Sequence, residues 1–464
     1  MIRMGSMKKD QRKKGHRKLF ITLGIVVLLI LGTTGYFLVS GWMAKQPKLD
    51  YAYNTSTAAP IAYPDANFAV ISDIHVYDTS LGTTGNAFEE ALHSDRKLLL
   101  DSEDLLDFAI GEILKSNVRF VLISGDMSKD GELIDHQDVA KKLSRLTDAG
   151  IKVYVIPGNH DIDNPGAVSY NGDTTTPVAN ITPDQFTQIY ANYGYNDALE
   201  RDPNSLSYVA EPVDGMWLLA IDSCRYRDNV PGGEETVGGK ISQATEDWIA
   251  GVLQEAQQKG KAVMVMVHHG VVEHWDGQHK LHPDYLIQDY THFGAFLASY
   301  HVRLVFTGHY HGQDITRGDF DNGTYLYDVM TGALVTAPCP IRYCTIKDDV
   351  FTVESETIVD KLHPGTDFAQ NATDFVKSSV VNEARITLKK YFVSDKDADY
   401  IADIVGDAFV AFYAGDEDPS KRPTLDESQL NLWGRFIYSM ESYVVDGLWK
   451  DLPPADNNVT FSLE

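Results

Sequence analysis

Five times in this chain a run of apolar, β-prone residues ends in a short polar cluster, and that repetition constrains the fold more than any other feature. Residues 68–71 lead to Asp73-Ile74-His75, and 120–123 lead to Gly125-Asp126. Residues 153–156 lead to Gly158-Asn159-His160-Asp161. Residues 263–267 lead to His268-His269, and 302–306 to Gly308-His309-Tyr310-His311. A short, continuous apolar run reads as a strand buried on both faces. In open α/β sheets, binding sites form just beyond the carboxyl ends of such strands. Asp, His and Asn side chains from distant parts of the chain are therefore aimed at one place, which predicts a metal centre.

Between 66 and about 356 the strands alternate with helical patterns at 97–115, 135–149 and 242–259, the last with Gly260 in a C-cap position. Further strands are expected at 205–210, 216–222, 325–330 and 343–346. Helices do not separate all of them, so the sheets should be mixed. Beyond 357 apolar residues recur at helical spacing through 368–392, 398–413 and 425–448, with Pro419 and Pro423 before the last helix. The expected organisation is a basic segment over 1–19, an apolar span over 20–40, a linker over 41–65, an α/β domain over 66–356 and a helical domain over 357–464.

Charge is distributed unevenly. Residues 1–20 hold eight Lys or Arg against Asp10 alone, a net of +7, so the remainder carries −33 of the chain's −26. So acidic a body lacks the clustered basic surface that nucleic-acid binding requires. Residues 20–39 carry no charge and are long enough to cross about 30 Å of hydrocarbon as a helix. Basic residues ahead of the span place the N-terminus in the cytoplasm. The span exceeds the usual apolar core of a cleaved signal peptide, about 7–15 residues, and no cysteine ends it. A single-pass signal anchor is expected, with the α/β body outside the cytoplasm. Three cysteines leave two readings: a small disulfide loop between Cys339 and Cys344, or free buried thiols.

Each cluster alone is a weak signal, because Asp also caps helices and an isolated Asp-x-His is common on surfaces. All five together resemble the calcineurin-like metallophosphoesterases, over about residues 66–330. The resemblance implies an α/β fold, a four-layer α/β/β/α sandwich with two mixed sheets, and a centre of two divalent or trivalent metal ions. It assigns Asp73, His75, Asp126 and His311 to one ion. Asp126 bridges to a second ion that Asn159, His268 and His309 also hold. His160 becomes the catalytic histidine, with Asp161 as its partner, while His269 is the weaker candidate of its pair. Oxygen and imidazole ligands without thiolate suit Mn, Fe or Zn. The implied activity is hydrolysis of a phosphoester substrate.

The chain resembles bacterial membrane-tethered members that act on cyclic nucleotides, so a phosphodiesterase is expected first. A phosphomonoesterase is the alternative, and a non-catalytic binding module is disfavoured because no ligand is missing. One departure is notable. The family often carries an acidic or Asn residue three positions after the bridging Asp; here Lys129 stands there and Asp130 follows. A carboxylate–histidine relay is therefore not expected from this loop. Two stretches are candidate substrate contacts: the loop His274 to His282, and Arg225-Tyr226-Arg227. Trp275 or Tyr226 would be the aromatic platform for a base.

Overall fold

The apolar runs become strands in the computed structural model, which describes residues 49–56 and 59–464. β1 (Ala66–Ile71), β2 (Phe120–Ile123) and β3 (Lys152–Val155) lie side by side in parallel. A small hairpin follows, β4 (Val168–Asn171) with β5 (Thr174–Pro177). A second sheet is built from β6 (Glu200–Arg201), β7 (Tyr208–Val213), β8 (Met216–Ile221), β9 (Ala262–Val267), β10 (Leu304–Thr307), β11 (Asp314–Asp319) and β12 (Tyr325–Met330). β13 (Pro340–Lys347), β14 (Val350–Thr357) and β15 (Asn458–Ser462) return to the first sheet, whose order is β15-β14-β13-β1-β2-β3. The second sheet runs β11-β12-β10-β9-β8-β7-β6. In the first sheet the parallel strands β1-β2-β3 form one edge and antiparallel strands the other; the second has a parallel centre flanked by antiparallel strands, so both sheets are mixed, as expected.

The two sheets are packed together. Phe68 on β1 stacks on Phe120 of β2 at 4.8 Å and meets Phe306 of β10 edge-on at 5.4 Å. The Tyr208 hydroxyl on β7 donates to the Val155 carbonyl on β3 at 2.9 Å. All three phenylalanines are fully buried, which is why these strands read as continuous apolar runs rather than alternating ones. Helices cover the sheets: α1 (Asn86–Ser94), α2 (Ser102–Ile113), α3 (Leu133–Asp148), α4 (Pro183–Ile189), α5 (Gln243–Lys259) and α6 (Tyr290–Ser299). α3 packs on β3, α5 on β9 and α6 on β12. α5 starts on Ser242, whose hydroxyl accepts from the Thr245 amide, and ends on Gly260 at φ 66°, the left-handed cap expected there.

The C-terminal helices are α7 (Phe368–Lys390), α8 (Asp395–Ala414) and α9 (Leu432–Leu448). They do not stand apart from the α/β body. Val376, Phe409, Phe412 and Val445 share one core with the strands, and residues Tyr51–Glu464 form one compact unit. After α9 the chain returns as β15 to pair with β14. Position 357 is thus where the hydrophobic period changes from strand to helix, and the core continues across it. Buried Arg342 on β13 fastens this return, donating to the carbonyls of Met330 (2.7 Å) and Asp456 (2.5 Å).

Cys339 and Cys344 are buried free thiols, and Cys224 is free and partly buried. The apolar span at 20–40 lies outside the described residues. Among the described residues, no helix is long and apolar enough to cross a membrane.

Phe68→Ala removes the ring that interlocks both sheets and should lower unfolding free energy by about 3–5 kcal/mol. Urea denaturation followed by circular dichroism checks this. A loss below about 1 kcal/mol would show that the sheets do not interlock at Phe68.

Candidate metal centre

The site lies where the carboxyl ends of β1, β2 and β3 meet those of β9 and β10. Within each sheet the strand ends are tied by backbone bonds: Asp73 N to Gly125 O at 3.1 Å and His75 N to Asp126 O at 3.0 Å in one, and Gly308 N to His268 O at 3.0 Å in the other. Five of the seven expected ligands have left-handed backbones: Asp73 (φ 49°), His75 (35°), Asp126 (54°), His309 (67°) and His311 (62°). That conformation is uncommon outside glycine, and such residues cluster at functional sites. Two glycines are required by proximity. A Cβ on Gly158 would sit 2.0 Å from Asp126 Oδ1, and one on Gly308 2.0 Å from Ser72 Oγ.

All seven expected ligands converge in two groups that share Asp126. In one, His75 Nε2 lies 3.3 Å from His311 Nε2, 3.6 Å from Asp126 Oδ2 and 4.0 Å from Asp73 Oδ1. His311 Nε2 is 3.5 Å from Asp73 Oδ1. In the other, His268 Nε2 lies 3.3 Å from Asp126 Oδ2 and 3.2 Å from Asn159 Oδ1. A donor atom of His309 completes this group, within 4.8 Å of those of Asp126 and His268. His268 Nδ1 donates to the Ser124 carbonyl at 2.7 Å and His75 Nδ1 to the Ser128 carbonyl at 3.2 Å. In those tautomers each Nε2 presents a lone pair to the centre. Asp126 Oδ2, fully buried, has no hydrogen-bond donor. Lone pairs facing lone pairs in a buried place are what cations satisfy, and the mixed carboxylate, amide and imidazole set fits two metal ions sharing Asp126.

His160 stands beside these groups, partly exposed. Its Nδ1 lies 2.8 Å from Asp130 Oδ1 and 3.3 Å from Glu235 Oε2, and its Nε2 lies 3.3 Å from Lys97 Nζ. Burial and Lys97 pull the imidazole down; Glu235, Asp126 and Asp130 outweigh them and lift it to about 10. Asp130 therefore supplies the carboxylate partner that position 129 lacks. Lys129 pairs with Asp130 instead and holds it down at about 2 against burial. Glu235 also accepts from Asn164 at 2.7 Å and reaches the Asn159 amide at 3.5 Å, which turns Asn159 Oδ1 toward His268. Glu235 and Lys97 escape sequence reasoning because neither follows a strand or a motif. Asp130 offered a signal, being one residue from the expected position.

Other expectations are corrected. Asp161 does not reach the site. Its buried carboxylate accepts from the amides of Met127 (2.8 Å), Ser128 (3.1 Å) and Gly158 (2.8 Å), so it positions the Asp126 and Asn159 loops. His269, the weaker candidate of its pair, agrees with that reading instead, with both ring nitrogens engaged, by Ser223 Oγ at 2.7 Å and the Val237 carbonyl at 2.8 Å. Trp275 and Tyr226 lie inside the fold, their polar atoms bonded to Tyr310 and Asp222. Arg225 pairs with Asp228, and Arg227 donates to the Asn204 carbonyl.

A family model for calcineurin-like phosphoesterases matches residues 66–313. Among solved structures, the chain is similar to a dimetal phosphatase from Danio rerio at 15% identity and a TM-score of 0.44, covering 64% of this chain and 97% of that one. It is also similar to a purple acid phosphatase from yellow lupin (Lupinus luteus) seeds at 14% identity and a TM-score of 0.38, covering 64% of this chain and 52% of that one. No curated protein matches the chain.

Asp126→Ala should cut the manganese retained after dialysis from about two ions per chain to one or none, counted by plasma mass spectrometry. Asp161→Asn should retain both ions yet lose about 1–3 kcal/mol of stability, because it weakens bonds to buried amides. An Asp126→Ala protein that keeps both ions would rule out the shared carboxylate.

Proposed function

The chain belongs to the calcineurin-like phosphoesterase family and is a metal-dependent phosphoester hydrolase, and from that premise we propose that it is a phosphodiesterase. The observation that carries this reading is the arrangement of charge around His160. Lys97, beside His160, and its neighbour Arg96 are engaged by carboxylates, Lys97 by Asp95 at 2.8 Å and Arg96 by Glu383 at 2.5 Å. Asp130 and Glu235 add negative charge on the same side. A monoester dianion would bring its second charge against these carboxylates, whereas a diester carries only one negative charge.

Asp73, His75, Asp126 and His311 would hold one ion, and Asp126, Asn159, His268 and His309 the other. Mn, Fe or Zn suits these ligands. Two such ions supply a nucleophile at neutral pH and neutralise charge on the phosphoryl oxygens. His160 does the remaining proton work. Asp130 and Glu235 hold its Nδ1 edge, so the imidazole is fixed in orientation and Nε2 donates to the departing oxygen. Lys97, buried beside Nε2, adds positive charge where that oxygen gains negative charge. Asp161 and Glu235 keep the two loops in register without touching the reacting atoms.

The pair of packed sheets with covering helices is read as the four-layer sandwich of the family. The uncharged span at 20–40 behind eight basic residues supports a catalytic body tethered outside the cytoplasm. A cyclic nucleotide is one diester that fits the chemistry. Its expected base platforms are buried, however, so the substrate must be recognised elsewhere.

The full chain loaded with Mn should hydrolyse bis(p-nitrophenyl) phosphate faster than p-nitrophenyl phosphate. Asp126→Ala and Asn159→Ala should lower the rate by at least ~100-fold, and His160→Ala by about 100- to 10,000-fold. Preference for the monoester would overturn the diesterase reading. Full activity in the ligand variants would overturn the metal centre as its seat.

A further inference from the structure

A cavity of about 180 Å³ opens beside the metal centre, between the α/β body and the C-terminal helices. Its near end is polar. Tyr285 lines it with a ring 4.5 Å from that of the ligand His309, and Arg96 lines it next to Lys97. Beyond that mouth the walls come from all three helices and are largely apolar, Val380 and Leu388 on α7, Ile401 and Phe409 on α8, Ile437 and Val444 on α9, with Glu383 and Glu441 the charged exceptions. An apolar cavity of about 150 Å³ takes benzene, so this one takes a stretch of hydrocarbon. A polar phosphate site beside an apolar pocket, with Tyr285 between them, matches an amphiphile.

A second, separate observation says where that amphiphile comes from. Leu432, Trp433, Phe436 and Met440 are exposed on α9, Leu432 at 85%. Phe392, at 86%, and Tyr391 lie beside them after α7, joined through a bond from Trp433 Nε1 to the Tyr391 carbonyl at 2.9 Å. Trp433 and Phe436 stack at 5.3 Å. Tyr391 also lines the cavity, so the patch borders its outer side. α9 buries Ile437, Val444, Val445 and Leu448, and the outward side of its first half is apolar as well. A stretch of helix apolar on both sides belongs inside a protein or against lipid, and exposed Trp, Phe and Leu on a helix are the groups that enter a bilayer interface.

We propose that the substrate is a phosphodiester with an aliphatic tail, drawn from a bilayer onto which Leu432, Trp433, Phe436, Met440 and Phe392 dock, its tail entering the cavity while its phosphate reaches the metal centre. The position of the phosphate rests on the phosphodiesterase reading above; the cavity and the patch do not.

The test uses the full-length, Mn-loaded chain and p-nitrophenyl alkyl phosphodiesters with methyl, butyl and octyl groups, each below its micelle concentration. The value of kcat/KM should rise by up to about fourfold per methylene as the cavity fills, and at least ~10-fold from methyl to octyl. In Val405→Trp and Ala384→Trp, on separate walls of the cavity, the octyl-to-methyl ratio should fall toward one. Two variants guard against misfolding of either. Calorimetric binding of octylphosphonate against methylphosphonate reads the cavity without hydrolysis. Tighter octyl binding supports the tail site even if no ester is cleaved, and equal affinities with a flat chain-length series overturn it while leaving the diesterase reading intact. For the bilayer, the chain is reconstituted into phosphatidylcholine vesicles containing the p-nitrophenyl diester of dioleoylphosphatidic acid. Trp433→Ser with Phe436→Ser should lower that rate at least fivefold relative to the soluble octyl ester. An unchanged ratio overturns the bilayer as the source.

Discussion

One buried carboxylate oxygen organises this molecule. Asp126 Oδ2 has no donor of its own and faces ring nitrogens from β1 and β9 loops. Bringing these groups together is unfavourable in itself. The five left-handed ligand residues cost of order 1–3 kcal/mol each, less for Asp and His than for bulkier residues. All five are Asp or His, so their total lies near the low end, about 5 kcal/mol, still a sizeable share of the net stability of a typical domain. The surrounding fold must therefore over-determine the loops. Asp161 does so by accepting three amides at once, and the Asp73 carboxylate by accepting from the His309 amide at 3.0 Å. Ions that bind only the folded form then return stability through mass action. The same convergence that strains the chain is what makes a metal centre favourable.

Much of this was legible because it is encoded locally. A buried parallel strand announces itself as an apolar run, and its carboxyl end as glycine followed by ligand-type side chains. Asp73, His75, Asp126, Asn159, His268, His309 and His311 all sit on such ends, and the structure gathers every one of them, Asn159 through its contact with His268. What was not legible depends on distance. Glu235 lies in a loop with no period or motif, yet it touches both Asn159 and His160. Asp130 was passed over because its loop delivers the carboxylate one residue later than the spacing suggested, while Lys129 turns to neutralise it. Asp161 was misread for the opposite reason. It stands in the motif, but its buried position gives it backbone amides rather than substrate.

The helical region shows the same limit at larger scale. Its period is plain in the sequence, but period reports only that one face is buried, not against what. The faces of α7, α8 and α9 turn out to complete the core of the α/β body, with Phe412 against Tyr310 at 5.3 Å, between His309 and His311. Trp275 was similarly ambiguous: an aromatic in a polar loop reads as a platform, yet it is completely buried with its indole bonded to Tyr310. Tyr310 thus links the metal centre to the helices and to the loop that precedes them.

That link gives the C-terminal helices a chemical consequence. Packing them on Tyr310 and Tyr285 closes the centre on one side and leaves a pocket whose wall changes from Arg96 to aliphatic side chains. Water is ordered poorly by such a wall, so hydrocarbon displaces it at little loss of hydrogen bonds. Polar selectivity on the His160 side and apolar selectivity on the helix side then act on the two ends of one molecule. Helices that merely supported the sheets would bury one stripe and expose charge. α9 instead exposes Leu432, Trp433, Phe436 and Met440 beside that pocket, and leaving so much apolar surface in water is unfavourable unless something apolar meets it.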